Sequence, residues 1–432
     1  MTGQAAAISS RRRTPGRFTF VIVAIAVVAL AGCSQGAAGA PRPGQLWVAA
    51  WGASPVAEAT IPGLTCPADA GLANQTVRNV VFLSAGSDEV RVRLSNAFGT
   101  RAITISHATV ASAKSGSSGD AVPGSIRDLT FGGQPRVTLA PGAGAVSDPV
   151  SVTVAPLSGL LISVYMPGRT GPITGHEFAA QDNFLAAADR TTTPSGAAFR
   201  PIQCWMFVSG VDVRASTARY TGTVVTLGDS ITDGFNSTPD ANRRWPDDLA
   251  RRLNAMTDPT LSIVNAGLVG NELLAPVFGH PQYGVPALAR LNRDVFSQAG
   301  ACEVIVLEGV NDLAYGATAE QIISADKRII TQAHGRHLRV FGATLTPFGG
   351  AVFGSTSAES TRTAINKWIM TSHAFDGVID FARAVASPKN PQALNPAFDS
   401  GDHSHPNDAG YQAMANSIDL SMLKAGSCGR SA

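Results

Sequence analysis

Hydrophobic residues follow two different periods along this 432-residue chain, and the change of period divides it into two regions. Across residues 46–218, apolar and polar positions alternate with period two; Val90, Val92 and Leu94, for example, are separated by arginines. Such alternation predicts half-buried antiparallel strands. Because long helical patterns are absent from this stretch, we expect it to form an all-β sandwich domain.

After Tyr220, short apolar runs alternate with helical stretches, which indicates a parallel sheet covered by helices on both faces. The first long helical stretch has Pro246 at its start and Asp247 and Asp248 in its first turn, an order that suits a helix N-terminus. We therefore expect residues 219–425 to form a three-layer α/β/α domain, followed by a C-terminal tail. The predicted strands are 223–227, 261–268, 303–309, 339–345 and 378–381.

The N-terminus has the pattern of an export signal. Four arginines precede an uncharged apolar run of 15 residues, 18–32. This run suits a signal peptide and is short for a membrane-spanning helix, which needs about 20 residues. It ends in the sequence LAGC, which resembles the lipobox of bacterial lipoproteins and makes Cys33 the expected lipidation site. A plain signal peptide that happens to end near a cysteine is the alternative.

These features predict a lipoprotein signal peptide at 1–32 and a flexible, Pro- and Gly-rich tether at 33–45. The protein would then be extracytoplasmic, either anchored to the cell membrane by lipid or secreted. Removing the signal changes the formal net charge from +2 to 2 − 4 = −2, because it carries four arginines and no acidic residue. A slightly acidic protein gives no reason to expect a nucleic-acid partner.

Four further cysteines remain, and an even number in an exported chain permits two disulfides. Pairing within each predicted domain favours Cys66–Cys204 and Cys302–Cys428. Four reduced, buried thiols are the alternative.

Candidate catalytic residues fall where an open α/β sheet binds its ligands, at the carboxyl ends of its strands. Gly228-Asp229-Ser230 follows the first predicted strand, 267–271 the second and 308–312 the third. The last loop carries 402–406, with the sequence DHSHP. Since the carboxyl ends of parallel strands share one edge of the sheet, we expect all four segments to converge there.

The residue types in these segments suit acyl transfer. A serine such as Ser230 becomes a strong nucleophile only when a base takes its proton, and His405 is the suitable base near neutral pH. Asp402, three residues earlier, can hold the imidazole in the required tautomer. The backbone N–H groups of Ser230 and Gly270 and the side-chain amide of Asn311 are candidate donors to the oxyanion.

The sequence departs from the common hydrolase motif G-x-S-x-G, because Thr232 stands at the second glycine. It instead resembles the SGNH/GDSL hydrolases over about residues 219–425. The β-rich region resembles that of a secreted actinobacterial-type subgroup, which joins such a domain to the hydrolase. Four blocks carry the resemblance, namely GDSITDG (228–234), NAGLVGN (265–271), GVND (309–312) and DHSHPND (402–408).

The resemblance implies a flavodoxin-like hydrolase domain with Ser230 as nucleophile, Asp402 and His405 as its triad partners, and Gly270 and Asn311 as further oxyanion donors. His403 takes a place where the family pattern often has glycine. His403 and His405 alone do not make a zinc site, which needs more ligands. The family resemblance implies neither metal nor organic cofactor.

The expected function is that of a serine esterase acting through an acyl-enzyme on short-acyl esters, either O-acetylated carbohydrates or aryl esters. One alternative is a lipase or phospholipase acting on longer chains. A second is a non-catalytic, glycan-binding surface lipoprotein. Two side chains near the site allow two interpretations: Glu308 is a buried structural acid or a catalytic one, and Trp245 is a packing residue or a stacking platform.

Overall fold

The computed structural model describes residues 45–59, 65–67, 71–216, 219–257 and 260–423. The predicted signal peptide, the tether up to residue 44, Cys33, Cys428 and the C-terminal tail lie outside the described residues. None of the helices in the described ranges is both long enough and apolar enough to cross a bilayer.

The N-terminal region is built from antiparallel strands, as its alternating pattern predicts. In chain order they are β1 Gln45–Gly52, β2 Val56–Ala57, β3 Gln75–Leu83, β4 Ser87–Ser95, β5 Ile103–Ile105, β6 His107–Ser112, β7 Arg127–Asp128, β8 Val137–Leu139, β9 Gly144–Val146, β10 Val150–Val154, β11 Ser158–Met166, β12 Thr174–His176, β13 Asn183–Ala187, β14 Arg200–Ile202, β15 Trp205–Met206 and β16 Val208–Ser216.

Two of the sheets in this region share one hydrophobic core. The first has the order β1-β16-β4-β10, with β9 also paired to β4, and the second has the order β14-β13-β3-β11-β6-β7. Val48 and Val92 from the first sheet and Val81 and Ile162 from the second are buried in the same cluster. The arrangement is therefore a β-sandwich. Smaller sheets, β15-β12-β2 and β5-β8, complete the region.

The C-terminal region alternates strands and helices. In chain order its elements are β17 Tyr220–Gly228, α1 Ser230–Asp233, α2 Trp245–Asn254, β18 Thr260–Gly267, α3 Ala287–Leu291, β19 Ala301–Leu307, α4 Val310–Ala314, α5 Ala319–His334, β20 Arg339–Ala343, α6 Thr356–Thr371, β21 Gly377–Ile379, α7 Phe381–Val385 and α8 Asp408–Ser417. A π-helical turn, Asn292–Phe296, follows α3.

The sheet of this region is parallel and has the order β18-β17-β19-β20-β21. Numbered within the region, this is the flavodoxin-like order 2-1-3-4-5, and it confirms the predicted fold class. The strand order reverses between β17 and β19, and doubly wound sheets bind ligands at that point. Ser230 follows β17 and Glu308 follows β19, so both lie at this crevice.

The β-sandwich packs against the outer strand of the parallel sheet, β18. The Ser84 hydroxyl donates to the carbonyl oxygen of Ile263 at 2.7 Å and accepts from its backbone N–H at 3.0 Å. Close by, the backbone N–H of Ala49 donates to the carbonyl of Ala299 at 2.9 Å. All the described residues belong to a single compact unit, so the two regions form one continuous body.

A disulfide joins Cys66 to Cys204 within the β-sandwich, with their Cα atoms 6.0 Å apart. The second predicted pair, Cys302–Cys428, stays a prediction because Cys428 lies outside the described residues.

Candidate active site

The nucleophile candidate stands at the turn from β17 into α1. Asp229 is the N-cap of α1, and its Oδ1 accepts a hydrogen bond from the backbone N–H of Ile231 at 2.8 Å. Gly234 ends the turn with φ +95°, a left-handed conformation that favours glycine. This local geometry places Ser230 at the carboxyl edge of the sheet. Burial raises the pKa of the Asp229 carboxyl to about 7.

Ser230, His405 and Asp402 form a continuous chain of hydrogen bonds. The Ser230 Oγ lies 2.8 Å from the His405 Nε2, and the His405 Nδ1 lies 2.7 Å from the Asp402 Oδ2. Ser230 lies more than 170 residues before the other two in the sequence, yet the contacts have the order that acyl transfer requires. The geometry lets His405 accept the serine proton while the carboxylate fixes the imidazole.

The loop that carries His405 holds its carboxylate through local hydrogen bonds. Asp402 Oδ1 accepts from the backbone N–H groups of Ser404 at 2.9 Å and His405 at 2.8 Å. Burial opposes ionisation of Asp402, but the hydrogen bonds and charge of His405 outweigh it, so the pKa of Asp402 lies well below its usual value. The carboxylate therefore stays ionised next to the imidazole.

Two residues that directly follow the GDSITDG motif contact the triad, and neither was predicted from the sequence. The side-chain amide of Asn236 donates to Asp402 Oδ2 at 2.9 Å. The ring of Phe235 packs edge-on against the His405 ring at a centroid distance of 4.9 Å. Their position directly after GDSITDG was the available signal, because a nucleophile turn must lead its chain past the partner histidine.

On the oxyanion side, the backbone conformation of Gly270 requires glycine. Its φ is +72°, and a Cβ at this position would lie 2.5 Å from the Tyr283 ring. Within the described part of the chain, the backbone N–H groups of Ser230 and Gly270 donate to no protein acceptor. Both are therefore available to an oxyanion.

Asn311 is anchored to the same loop. Its side-chain amide donates to the carbonyl oxygen of Asn271 at 2.8 Å, which leaves its second N–H for another acceptor. The carboxylate of the next residue, Asp312, accepts from the backbone N–H groups of Leu273 at 2.8 Å and Leu274 at 3.0 Å. These contacts fix the segment after Gly270 to the start of α4.

A buried histidine of the β-sandwich also supports the oxyanion side, and no sequence pattern indicated it. His176 Nε2 lies 3.0 Å from Asp233 Oδ1, and Asp233 Oδ2 accepts from the backbone N–H of Val269 at 3.1 Å. The other ring nitrogen of His176 lies 3.0 Å from the carbonyl oxygen of Ser54. Burial opposes a charge on His176, but Asp233 outweighs it and raises the pKa of the imidazole.

The side chain of Arg290 connects the ends of β17 and β18 to the oxyanion loop, residues 268–274. Its fully buried guanidinium donates to the carbonyl oxygens of Ala266 at 2.7 Å and Gly228 at 3.1 Å, and to Asn271 Oδ1 at 2.9 Å. An interior Arg must satisfy its donors in this way, because an unpaired buried charge is costly. Arg290 therefore fixes the two strand ends and Asn271 relative to one another.

Glu308 and Trp245 both lie inside the protein. Glu308 is buried with a carboxylate oxygen 3.6 Å from Arg290, and burial, reinforced by nearby Asp229, raises its pKa well above the usual value. Trp245 is completely buried and packs on Phe381 at a centroid distance of 5.2 Å. Of the two interpretations of each residue, these positions favour a structural acid and a packing residue.

No group of three or more His, Cys, Asp or Glu side chains in the described ranges is placed to hold a metal ion. His403, the competing imidazole of the last motif, is hydrogen-bonded instead, with its Nδ1 2.6 Å from Asp399 Oδ2.

Comparison with known proteins gives a family match for the C-terminal region. Residues 226–413 match the model of the GDSL-like lipase/acylhydrolase family. No curated protein sequence is significantly similar to the chain. Solved structures also align with part of the chain, at low sequence identity and low TM-score.

Three of these structures illustrate the range. A GDSL-like lipase from Bacteroides thetaiotaomicron is 18% identical, with 47% of this chain and 88% of that chain covered and a TM-score of 0.36. A lipolytic protein of the G-D-S-L family from Veillonella parvula is 17% identical, with 45% and 94% covered and a TM-score of 0.35. The aryl esterase of M. smegmatis is 16% identical, with 47% and 100% covered and a TM-score of 0.37.

The matched range contains Ser230, Gly270, Asn311, Asp402 and His405. Residues 226–413 therefore match the GDSL-like lipase/acylhydrolase family, and this match supports carboxylic ester hydrolysis as the chemistry of that region.

Proposed function

We propose that the chain is an extracytoplasmic serine esterase that cleaves short-acyl esters through an acyl-enzyme. The observation that carries the proposal is the hydrogen-bonded chain from Ser230 through His405 to Asp402, with contacts of 2.8 and 2.7 Å. This arrangement supplies a nucleophile, a general base and an orienting carboxylate in one crevice.

In this mechanism the Ser230 Oγ attacks the ester carbonyl while His405 Nε2 takes its proton. The negative charge that develops on the carbonyl oxygen is met by the backbone N–H groups of Ser230 and Gly270 and by the Asn311 amide. Losing one such donor typically costs about 3 kcal/mol of barrier, a hundredfold or more in rate.

Collapse of the tetrahedral intermediate breaks the bond to the alcohol oxygen, and His405 gives that oxygen the proton. A water molecule then attacks the acyl-enzyme with His405 again as base, which releases the carboxylic acid and restores Ser230. Throughout, the lowered pKa of Asp402 keeps its negative charge beside the imidazolium that forms.

For the substrate, we favour O-acetylated carbohydrates, with aryl esters next. The support is the cavity beside Phe235, whose lining combines two aromatic rings with amide and carboxylate side chains. A lipase is the competing assignment, and the fully exposed Phe278, in the segment after Gly270, favours it. Rates across esters of increasing acyl length separate the two, because an acetyl esterase loses activity beyond a few carbons.

The first test is hydrolysis of an aryl acetate by the parent protein and by Ser230→Ala. We expect the variant to lose roughly 10⁴-fold or more in kcat, because nothing else replaces the nucleophile. Its circular dichroism spectrum should match that of the parent. Equal rates in both proteins, or no turnover by a folded parent, would favour the non-catalytic glycan-binding alternative.

The proposed location rests on Cys33, which lies outside the described residues. We expect the chain, expressed in a bacterium with lipoprotein processing, to fractionate with membranes and to incorporate labelled fatty acid. Cys33→Ala should abolish the label and move the protein out of the membrane fraction. Retention of the label in Cys33→Ala would rule out this anchor.

A further inference from the structure

A cavity of about 540 Å³ lies beside the catalytic triad and is walled by both regions of the chain. We call it the shared cavity. Its volume is in the range of small-molecule binding sites. The lining residues that matter for its chemistry are Phe178, Gln181, Asp182 and Gln203 from the β-sandwich, and Phe235 and Asn236 from the α/β region.

A single layer of side chains separates the shared cavity from the catalytic triad. Phe235 lines it and packs on the His405 ring, and Asn236 lines it and donates to Asp402. In ester cleavage, His405 delivers its proton to the departing alcohol, so the alcohol must leave on the His405 side of the serine. The cavity lies on that side of the site.

The β-sandwich wall of the cavity is held in place by the hydrolase region. Asp240 Oδ1 accepts from the Gln181 amide at 2.6 Å and from the backbone N–H of Asp182 at 2.7 Å. The backbone N–H of Asp240 donates to the carbonyl oxygen of Ala180 at 3.0 Å. Phe178 and Ala180 adopt left-handed φ values of +57° and +45°. Such backbone strain persists only where the surroundings enforce it, and it concentrates at binding sites.

The lining has a definite chemistry. The rings of Phe178 and Phe235 meet edge to face at 5.8 Å and offer apolar surface. Gln181 is only 2% exposed, and its side-chain oxygen has no hydrogen-bond partner among the described residues. That oxygen is buried beneath the cavity surface, so the acceptors open to a ligand are the side-chain oxygens of the partly exposed Asp182 and the exposed Asn236. Aromatic surface combined with acceptors suits a ring that carries several hydroxyl groups.

Charge argues against a phosphate-bearing ligand. The residues that line the shared cavity include a carboxylate but neither lysine nor arginine. A phospholipid headgroup would therefore meet repulsion from Asp182 without a compensating cation.

We propose that the shared cavity binds the alcohol part of the ester as a sugar or similar polyol ring, so that the β-sandwich forms part of the substrate site. This inference rests on the esterase function proposed above. The reaction it serves is balanced: ester and water give the free sugar hydroxyl, which leaves from the shared cavity, and the carboxylic acid.

The first experiment compares two acetates that differ only in the alcohol. A monoacetylated methyl glucoside reaches the shared cavity, whereas ethyl acetate is too small to fill it. We expect Phe178→Ala to lower kcat/KM for the glucoside on the order of tenfold, from the loss of ring packing. Ethyl acetate should change less than about twofold. Asp182→Asn should also lower kcat/KM for the glucoside selectively, by a smaller factor than Phe178→Ala.

Phe296→Ala is the matched control, because Phe296 is also a half-buried phenylalanine but precedes β19, at the opposite end of the sheet. It should leave both substrates unaffected. If Phe178→Ala and Asp182→Asn change the two acetates equally, or change neither, the assignment of the cavity is wrong.

A binding measurement separates this proposal from the esterase proposal. Ser230→Ala cannot turn over substrate, so binding of unacetylated methyl glucoside to it is followed by ligand-observed NMR. We expect binding that weakens on the order of tenfold when Phe178→Ala is added. No binding to Ser230→Ala would overturn the cavity assignment even if the parent is an active esterase. Binding without activity in the parent would instead defeat the esterase proposal alone.

Discussion

Two loops of the active site are stabilised in opposite ways. The His loop, residues 399–407, supports itself through local hydrogen bonds: Asp399 accepts from the backbone N–H groups of Gly401 and His403, and Asp402 accepts from those of Ser404 and His405. All these bonds span four residues or fewer. The loop therefore carries most of its own conformation in nine residues of sequence.

The oxyanion loop, residues 268–274, depends on distant partners instead. It is held by Asp233, Arg290, Asn311 and Asp312, which lie between 19 and 40 residues away in the sequence. Behind Asp233 stands His176 of the β-sandwich, a further 57 residues away. A short motif therefore defines the His loop, whereas the oxyanion loop requires the whole fold.

The largest effect should come from the self-supporting loop. In Asp402→Asn the side-chain oxygen can still accept from the two backbone N–H groups, so the loop should keep its shape. The amide cannot stabilise the imidazolium or select its tautomer, and kcat should fall roughly 10³–10⁴-fold. Hydrolysis of an aryl acetate measures kcat, and a thermal melt measures the stability of the variant. A large drop in Tm would show that the loop is not independent.

Two carboxyl groups of the site, Asp229 in the nucleophile turn and Asp402 in the His loop, should make stability respond oppositely to pH. An unfolded aspartate titrates near pH 4, whereas burial raises the pKa of folded Asp229 to about 7. Between these values the folded state keeps a proton that the unfolded state has released, so this group makes stability fall as pH rises from about 4 to about 7. Asp402, with its lowered pKa, contributes stability above about pH 4 that is lost as pH falls.

Asp229→Asn should therefore remove a decline in stability across pH 4–7 and stabilise the protein at pH 8 by about 4 kcal/mol. Asparagine retains an oxygen that can cap Ile231. Urea unfolding at pH 5, 6, 7 and 8 measures the slope. A variant that is less stable than the parent at pH 8 would show that neighbouring groups offset the cost of burying the ionised Asp229 carboxylate.

A smaller loss of activity should come from the most distant support of the oxyanion loop. His176→Ala removes the partner of Asp233 and loosens the segment that presents Gly270. We expect kcat to fall about 10- to 100-fold, within the range of a displaced oxyanion donor, while KM stays within about twofold. His176→Gln, which restores a donor to Asp233, should recover part of the rate. A purely structural role would lower Tm without this split between kcat and KM.

His403→Ala provides the matched test in the His loop. This imidazole is exposed, and among the described residues its ring hydrogen-bonds only to Asp399, within the same loop. We expect a change in kcat of less than about threefold. An effect as large as that of His176→Ala would break the contrast between the two loops.

Much of the fold could be predicted because it is encoded locally. Period-two alternation around Val90 and Val92 identified the sandwich, and the five apolar runs coincide with β17 to β21 to within a few residues. The pairing of the sandwich strands could not be predicted. β1 pairs with β16, for example, and about 160 residues separate them, so no local pattern specifies which strands meet.

The same division holds for the candidate site. Ser230, Asp402 and His405 were identifiable because each stands in a short motif at a strand end. His176 and Arg290 were not, since a buried polar side chain differs from an exposed one only through partners that the fold brings to it. The shared cavity was equally hidden, because its walls come from loops about 55 residues apart.

The contact of Ser84 with Ile263 has a consequence for engineering. An edge strand has unpaired backbone N–H and C=O groups that can pair with another chain. Proteins protect such edges with covering elements, charged residues or proline. Here the cover is the β-sandwich, through Ser84 over β18. An excised α/β region would lose it, and we expect such a fragment to associate edge to edge even if its own core folds. A minimal enzyme from this scaffold would need a charged residue or a proline introduced along β18 in place of the sandwich.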